Sequence, residues 1–190
     1  MPDHVILAAG PSLADATYET RYAATRAVSR AIAAPLAVED MVVQAMPDTS
    51  PTKWHLAHVT WFFETFVLAR FVPGYRCFDA DYAFLFNSYY EGAGDRHARP
   101  ERGLITRPTV AEVLDYRDYV DAAMARLLDE VPDNAEVAQL AELGINHEQQ
   151  HQELMLMDIL NLFSRNPLRP TYVAASAMPQ EMVASDATWR

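Results

Sequence analysis

Cysteine is nearly absent: the 190-residue chain has one, Cys77. A single thiol excludes an internal disulfide framework and fits a reducing compartment. Positive charge is scarce as well, with 15 Lys and Arg against 26 Asp and Glu for a net charge of -11. Neutralising a phosphate backbone needs clustered cations, so the balance argues against a nucleic-acid partner. Long uninterrupted apolar runs are missing. The longest, "HVTWFFETFVLARF", is broken by charges and falls short of the roughly 20 residues a bilayer span requires. No basic stretch followed by an apolar one opens the chain, so no signal peptide is expected. These absences lead to a soluble, cytoplasmic protein without a membrane partner. Histidine is also sparse, at six, which makes its placement informative.

Apolar residues are plentiful, at 51%, enough for the core of one domain. Residues 1–13 show little periodicity and read as an arm. Residues 14–166 read as a four-helix bundle and 167–190 as a Pro- and Ala-rich tail. In the first helix Tyr18, Tyr22, Thr25 and Val28 recur at helical spacing, and Pro35 kinks or ends it. "AVEDMVVQAM" reads as a continuing helical segment. The second helix follows a cap at Asp48, Thr49 or Ser50, has Pro51 in its first turn and stops at Pro73-Gly74. An irregular connection rich in Gly, Pro and Arg leads to a third helix. That helix opens on a Thr109/Glu112 capping box and carries a stripe of Val113, Tyr116, Val120 and Met124. A fourth helix is capped at Asp133 or Asn134 and ends before Pro167, with Gly144 placed to admit a close neighbour. With no repeat and no strand pair, the fold class is all-α, four long helices with one long crossover loop.

The stretch "HEQQHQELMLMDIL", residues 147–160, contains H-E-x-x-H, so His147 and His151 share one helical face and can reach one ion. In zinc peptidases with this pattern the glutamate is the general base and a third ligand follows downstream. No histidine follows His151, and Glu153, Asp158 and Glu181 form no second motif, which disfavours a peptidase. His55 and His58 lie on the second helix among Trp54, Trp61, Phe62 and Phe63, where an imidazole needs a partner. His58 is in line with Trp54, Trp61 and Thr65, whereas His55 sits about a quarter-turn away; periodicity leans to His58 as ligand and leaves His55 as a buried hydrogen-bonder. Asp158 reads either as a partner of a ligand ring or as a plain surface carboxylate. Gln150 can offer its amide to a substrate. The arginine cluster Arg96, Arg99, Arg102 and Arg107 reads either as a solvated loop or as a site for a small anion. Three neutral imidazoles with open positions suit Zn, Fe, Ni or Cu.

Three segments, "SPTKWHLAHVTWFFETFVL", "FNSYYEGAGDRHARPERGLITRPT" and "NHEQQHQELMLMDIL", together resemble, in order, the N-terminal DinB-like domain of the ergothioneine-biosynthesis sulfoxide synthases. The resemblance implies a DinB-like four-helix bundle joined to a formylglycine-generating-enzyme-like domain, with Fe(II) held by three histidines at their junction. With O₂ such enzymes join a cysteine-derived thiol to N-alpha-trimethylhistidine as a sulfoxide. By motif the iron ligands are His58, His147 and His151, Gln150 contacts the betaine-type histidine substrate, and Arg96 and Arg99 hold carboxylates of the thiol. No second domain of that kind is contained in these 190 residues, and "SDATWR" resembles the linker before one. The expectation is therefore metal binding with little complete activity by this chain alone. The alternatives are a stand-alone DinB-like thiol S-transferase using Zn or Ni, and a non-catalytic bundle whose metal supports only the fold.

Overall fold

The computed structural model describes residues 16–88, 92 and 94–173; the expected arm at 1–13, and residues 174–190 of the expected tail, lie outside them. Helix α1 (Tyr18–Ala33) starts at Thr17, whose hydroxyl accepts the Thr20 amide at 3.2 Å, and ends before Pro35 as expected. Its buried face is Tyr22, Thr25, Arg26, Ser29 and Ala33. Val28, placed in the inward stripe by periodicity, is 48% exposed. The inward positions are instead taken by Arg26 and Ser29, which reach a carboxylate on the last helix.

"AVEDMVVQAM" is not helical but a series of turns. The Asp40 carboxylate accepts the Ala37 amide at 3.0 Å, the local competition with helix that short acidic side chains offer. Met41 then gives its carbonyl to the Lys53 amide at 2.9 Å, so this segment caps the next helix from outside.

Helix α2 (Thr52–Phe63) continues through a π-turn (Glu64–Leu68) and a last α-turn (Ala69–Phe71). None of the expected side-chain caps forms. Pro51 takes the cap position without a side-chain bond, the Thr49 hydroxyl turns to Met46, and Ser50 is diverted to the site described below. Every residue from Thr52 to Phe63 is buried. In the π-turn, the buried Glu64 carboxylate accepts from Tyr75 Oη (3.0 Å), the Phe78 amide (2.9 Å) and Tyr116 Oη (2.6 Å). A buried carboxylate needs such donors.

The crossover holds a short helix α3 (Tyr82–Phe86) and a 3-10 segment (Arg99–Leu104). Its far end is clamped to α2 by Lys53, whose Nζ donates to the carbonyls of Ile105 (2.6 Å) and Pro108 (2.8 Å). Helix α4 (Val110–Glu130) opens on the expected Thr109/Glu112 capping box, and its stripe Val113, Tyr116, Val120 and Met124 is fully buried. Helix α5 (Ala135–Arg165) is capped by Asn134, which accepts the Glu136 and Val137 amides. Helices α1 and α2 pack on α5 and on α4, an all-α bundle with no strand among the described residues. No helix among them is long and apolar enough to cross a membrane.

Gly144 of α5 lies under Phe63 of α2. A Cβ there would fall 2.4 Å from Phe63 Cε1 and 2.6 Å from Cζ. That ring is buried and packs edge-on to Tyr22 at 4.8 Å, so it has no room to retreat. Alanine is the better helix former by about 1 kcal/mol, yet overpacking costs about 1–3 kcal/mol. Gly144→Ala is therefore expected to lower the urea midpoint; a raised midpoint would show that the ring can swing aside.

Candidate metal centre

Helix α2 presents His55 and His58, and α5 presents His147 and His151 one turn apart. One ligand atom from each of His58, His147 and His151 lies within 4.8 Å of the other two. His58 Nε2 faces His147 Nε2 at 3.2 Å. Two nitrogens bound to one ion at about 2.0–2.1 Å and separated by roughly 90–110° would be about 2.8–3.4 Å apart, so this spacing fits a shared cation.

The orientation of the His58 ring has a local cause. His58 Nδ1 lies 2.6 Å from the Phe86 carbonyl at the end of α3. A carbonyl only accepts, so Nδ1 carries the proton and Nε2 keeps its lone pair. The ring stacks on Trp54 (4.6 Å, 12°) and on Trp61 (5.6 Å, 18°). Trp54 is fixed through its Nε1–H to the Leu85 carbonyl (3.1 Å), and the Arg102 guanidinium lies over its ring at 3.3 Å, a cation–π contact. His55 is outside the three-histidine group. Its Nδ1 is 2.8 Å from His151 Nδ1 and its Nε2 is 3.0 Å from Asp158 Oδ2. Asp158 Oδ2 also accepts the Ser50 amide at 2.9 Å. Asp158 thus touches the first histidine of α2 rather than a ring of its own helix.

The electrostatics keep the imidazoles neutral, the form that can donate to a metal. Burial, with the His147 ring second, pushes His58 well below the usual range. Burial lowers His147 to about 4, and burial followed by the neighbouring rings of His58, His55 and His147 drives His151 far down. Below pH 6.5 the unfolded chain therefore takes up protons that the folded chain refuses. The stability this confers is complete above 6.5 and is lost as pH falls toward the folded values, at most about 1.4 kcal/mol per pH unit per imidazole. Metal-free protein is expected to show a urea midpoint that declines from pH 6.5 to 4; a midpoint independent of pH there would contradict neutral burial.

Glu148 does not face this centre. It is fully buried on the other side of α5, where it accepts from Arg26 Nη1 (2.9 Å), Arg117 Nη2 (3.0 Å) and Ser29 Oγ (2.6 Å). Burial opposes its charge, but the two guanidinium groups and the Ser29 hydroxyl outweigh that and hold it at about 2. A carboxylate so engaged cannot serve as a metallopeptidase general base, which settles the H-E-x-x-H question against a peptidase.

A cavity of about 280 Å³ opens beside the imidazoles, walled by Ser50, Ser88, Arg99, Arg102, Gln150 and Leu154. A larger groove of about 410 Å³ between α1 and α5, bordered by Arg21, Thr25, Gln149 and Gln152, contains no cluster of ligand-type side chains. Gln150 and Arg99 stand at the cavity wall with the three histidines. Arg96 is not among the lining residues; its Nη1 donates to the Ser88 carbonyl at 2.6 Å. Arg107 turns to the Thr106 carbonyl. Arg102, a member of the arginine cluster to which the resemblance assigns no role, is buried at the cavity and donates to Ser50 Oγ (2.9 Å) and Ser88 Oγ (3.1 Å). Its place in the arginine cluster was visible, but only the two serines, far apart in sequence, reveal which arginine turns inward.

A comparison with curated proteins finds no match. The sequence does match a family model, that of the DinB superfamily, over residues 21–155. That span takes in most of α1, all of α2, the whole crossover, α4 and all three clustered histidines, and the chain accordingly belongs to the DinB superfamily.

Proposed function

We propose that this chain is the Fe(II)-binding DinB-like domain of a sulfoxide synthase of the ergothioneine type. The observation that carries the reading is the convergence of His58, His147 and His151 beside a cavity that also holds Gln150 and Arg99. Fe(II) held by His58, His147 and His151 would supply the activation of O₂ and of a thiol. The chain's own residues do the binding. In this reading the Gln150 amide contacts the imidazole of N-alpha-trimethylhistidine. Arg99 pairs with a carboxylate of the cysteine-derived thiol through a two-pronged guanidinium contact. Arg96, the second arginine of this reading, donates to the carbonyl of Ser88, a residue of the cavity wall. A formylglycine-generating-enzyme-like domain completes the pocket.

The test begins with anaerobic Fe(II) titration of the 190-residue protein, for which one ion per chain is expected. Adding O₂, the thiol and N-alpha-trimethylhistidine should then give negligible sulfoxide alone, and sulfoxide once the second domain is supplied. Preference for zinc or nickel, with conjugation of a thiol to an electrophile and no need of a second domain, would identify a thiol S-transferase instead. Metal that raises thermal stability and leaves no position open to added ligands would identify a non-catalytic bundle.

A further inference from the structure

Resting on the metal reading above, we infer that Asp158, acting through His55, fixes His151 as the tautomer protonated on Nδ1, so that His151 offers its Nε2 lone pair to the metal. Both are positioning residues.

The inference follows from counting protons along a short chain of contacts. Asp158 Oδ2 is an acceptor only, already receiving the Ser50 amide at 2.9 Å. The His55 nitrogen facing it at 3.0 Å, Nε2, must therefore carry a hydrogen. His55 is buried, and its contacts are one carboxylate and another imidazole, a setting in which the ring is neutral and carries one hydrogen. A neutral imidazole with hydrogen on Nε2 has a bare lone pair on Nδ1. That lone pair meets His151 Nδ1 at 2.8 Å, a distance at which one hydrogen lies between the two nitrogens. The hydrogen then belongs to His151 Nδ1, and its Nε2 is left as the donor. With the opposite tautomer, two lone pairs would face each other at 2.8 Å and a hydrogen would point at the ion. The Phe86 carbonyl does for His58 in one contact what Asp158 does for His151 in two. Groups that hold the far nitrogen of a metal-bound histidine typically change metal affinity 10- to 100-fold when removed.

The experiment uses the full chain labelled with ¹⁵N at histidine, in the metal-free state and with Zn(II). Long-range ¹H–¹⁵N spectra report the tautomer of His151, and competition with a chromophoric chelator reports zinc affinity. Wild type is expected to show His151 protonated on Nδ1 before metal is added. Asp158→Ala is expected to give a mixture of tautomers and zinc binding about 10- to 100-fold weaker. His55→Phe keeps the Asp158–Ser50 contact but removes the acceptor, and should weaken zinc binding over the same range. A metal-free wild type protonated on His151 Nε2, or an Asp158→Ala protein with an unchanged tautomer, would overturn the inference. So would zinc affinity unchanged in both variants, even if their metal-free stability fell, since that is the signature of a merely structural role. If wild type binds no zinc or iron at all, the metal reading fails first and takes this inference with it.

Discussion

Replacing Glu148 by alanine is expected to destabilise the protein by about 3–5 kcal/mol, although all three clustered imidazoles remain in the chain. The cause is what stays behind. Arg26 and Arg117 are both buried, with Arg117 fully so, and each loses its bond to Glu148. Arg26 keeps Asp121 at 2.6 Å, an acid at the edge of the core. Arg117 keeps only neutral acceptors, among them the Leu56 carbonyl (3.0 Å) and Thr60 Oγ1 (3.2 Å), and none compensates a buried cation. Urea unfolding of Glu148→Ala and Glu148→Gln measures the effect, with glutamine intermediate because it keeps a hydrogen-bonding oxygen but not the charge. A loss below about 1 kcal/mol for the alanine variant would refute the buried pair. The same substitution separates this protein from a metallopeptidase. There, removing the general base abolishes turnover and spares the fold; here the fold should suffer.

His58→Ala, His147→Ala and His151→Ala are each expected to weaken Fe(II) or Zn(II) binding on the order of 100- to 1000-fold. The estimate divides the ~10–16 kcal/mol typical of a closed four-ligand zinc site among its donors. Anaerobic titration with chelator competition measures it, and the metal-free melting temperature serves as the control. His55→Ala should weaken binding less and preserve one ion per chain, because His55 touches His151 rather than joining the group. Full binding by His58→Ala together with none by His55→Ala would reverse the assignment.

Where the sequence was legible, a local rule sufficed. The Thr109/Glu112 box and the Asn134 cap are contacts within one turn, and the α4 stripe faces a single side of its helix. Gly144 announced a close approach, though not by which ring. Between His55 and His58, periodicity leaned to His58 only weakly, and that is the histidine in the group of three. Hydrophobic periodicity orients a helix only if one face is polar, and α2 is buried all round from Thr52 to Phe63. The resemblance selected His58, the histidine that the structure places in the group of three. The α1 stripe misplaced Val28 for a related reason. The core face there is built from Arg26 and Ser29, whose partner Glu148 lies more than a hundred residues on. Polar cores assembled across helices leave no periodic trace. The α2 cap was missed because Ser50, a good cap by type, is held by Asp158 and Arg102.

The wide turn at Glu64–Leu68 sets a limit on how the length of this chain can change. Each residue of an α-helix rotates the chain by about 100°, and a π-turn accommodates one residue more than regular winding allows. Shortening the segment by one would restore straight winding and swing everything before or after it by that angle. Glu64 could then no longer reach Tyr75, Phe78 and Tyr116 together while His58 stayed opposite His147. A single deletion at this spot would set the anchoring of the crossover against the alignment of the imidazoles.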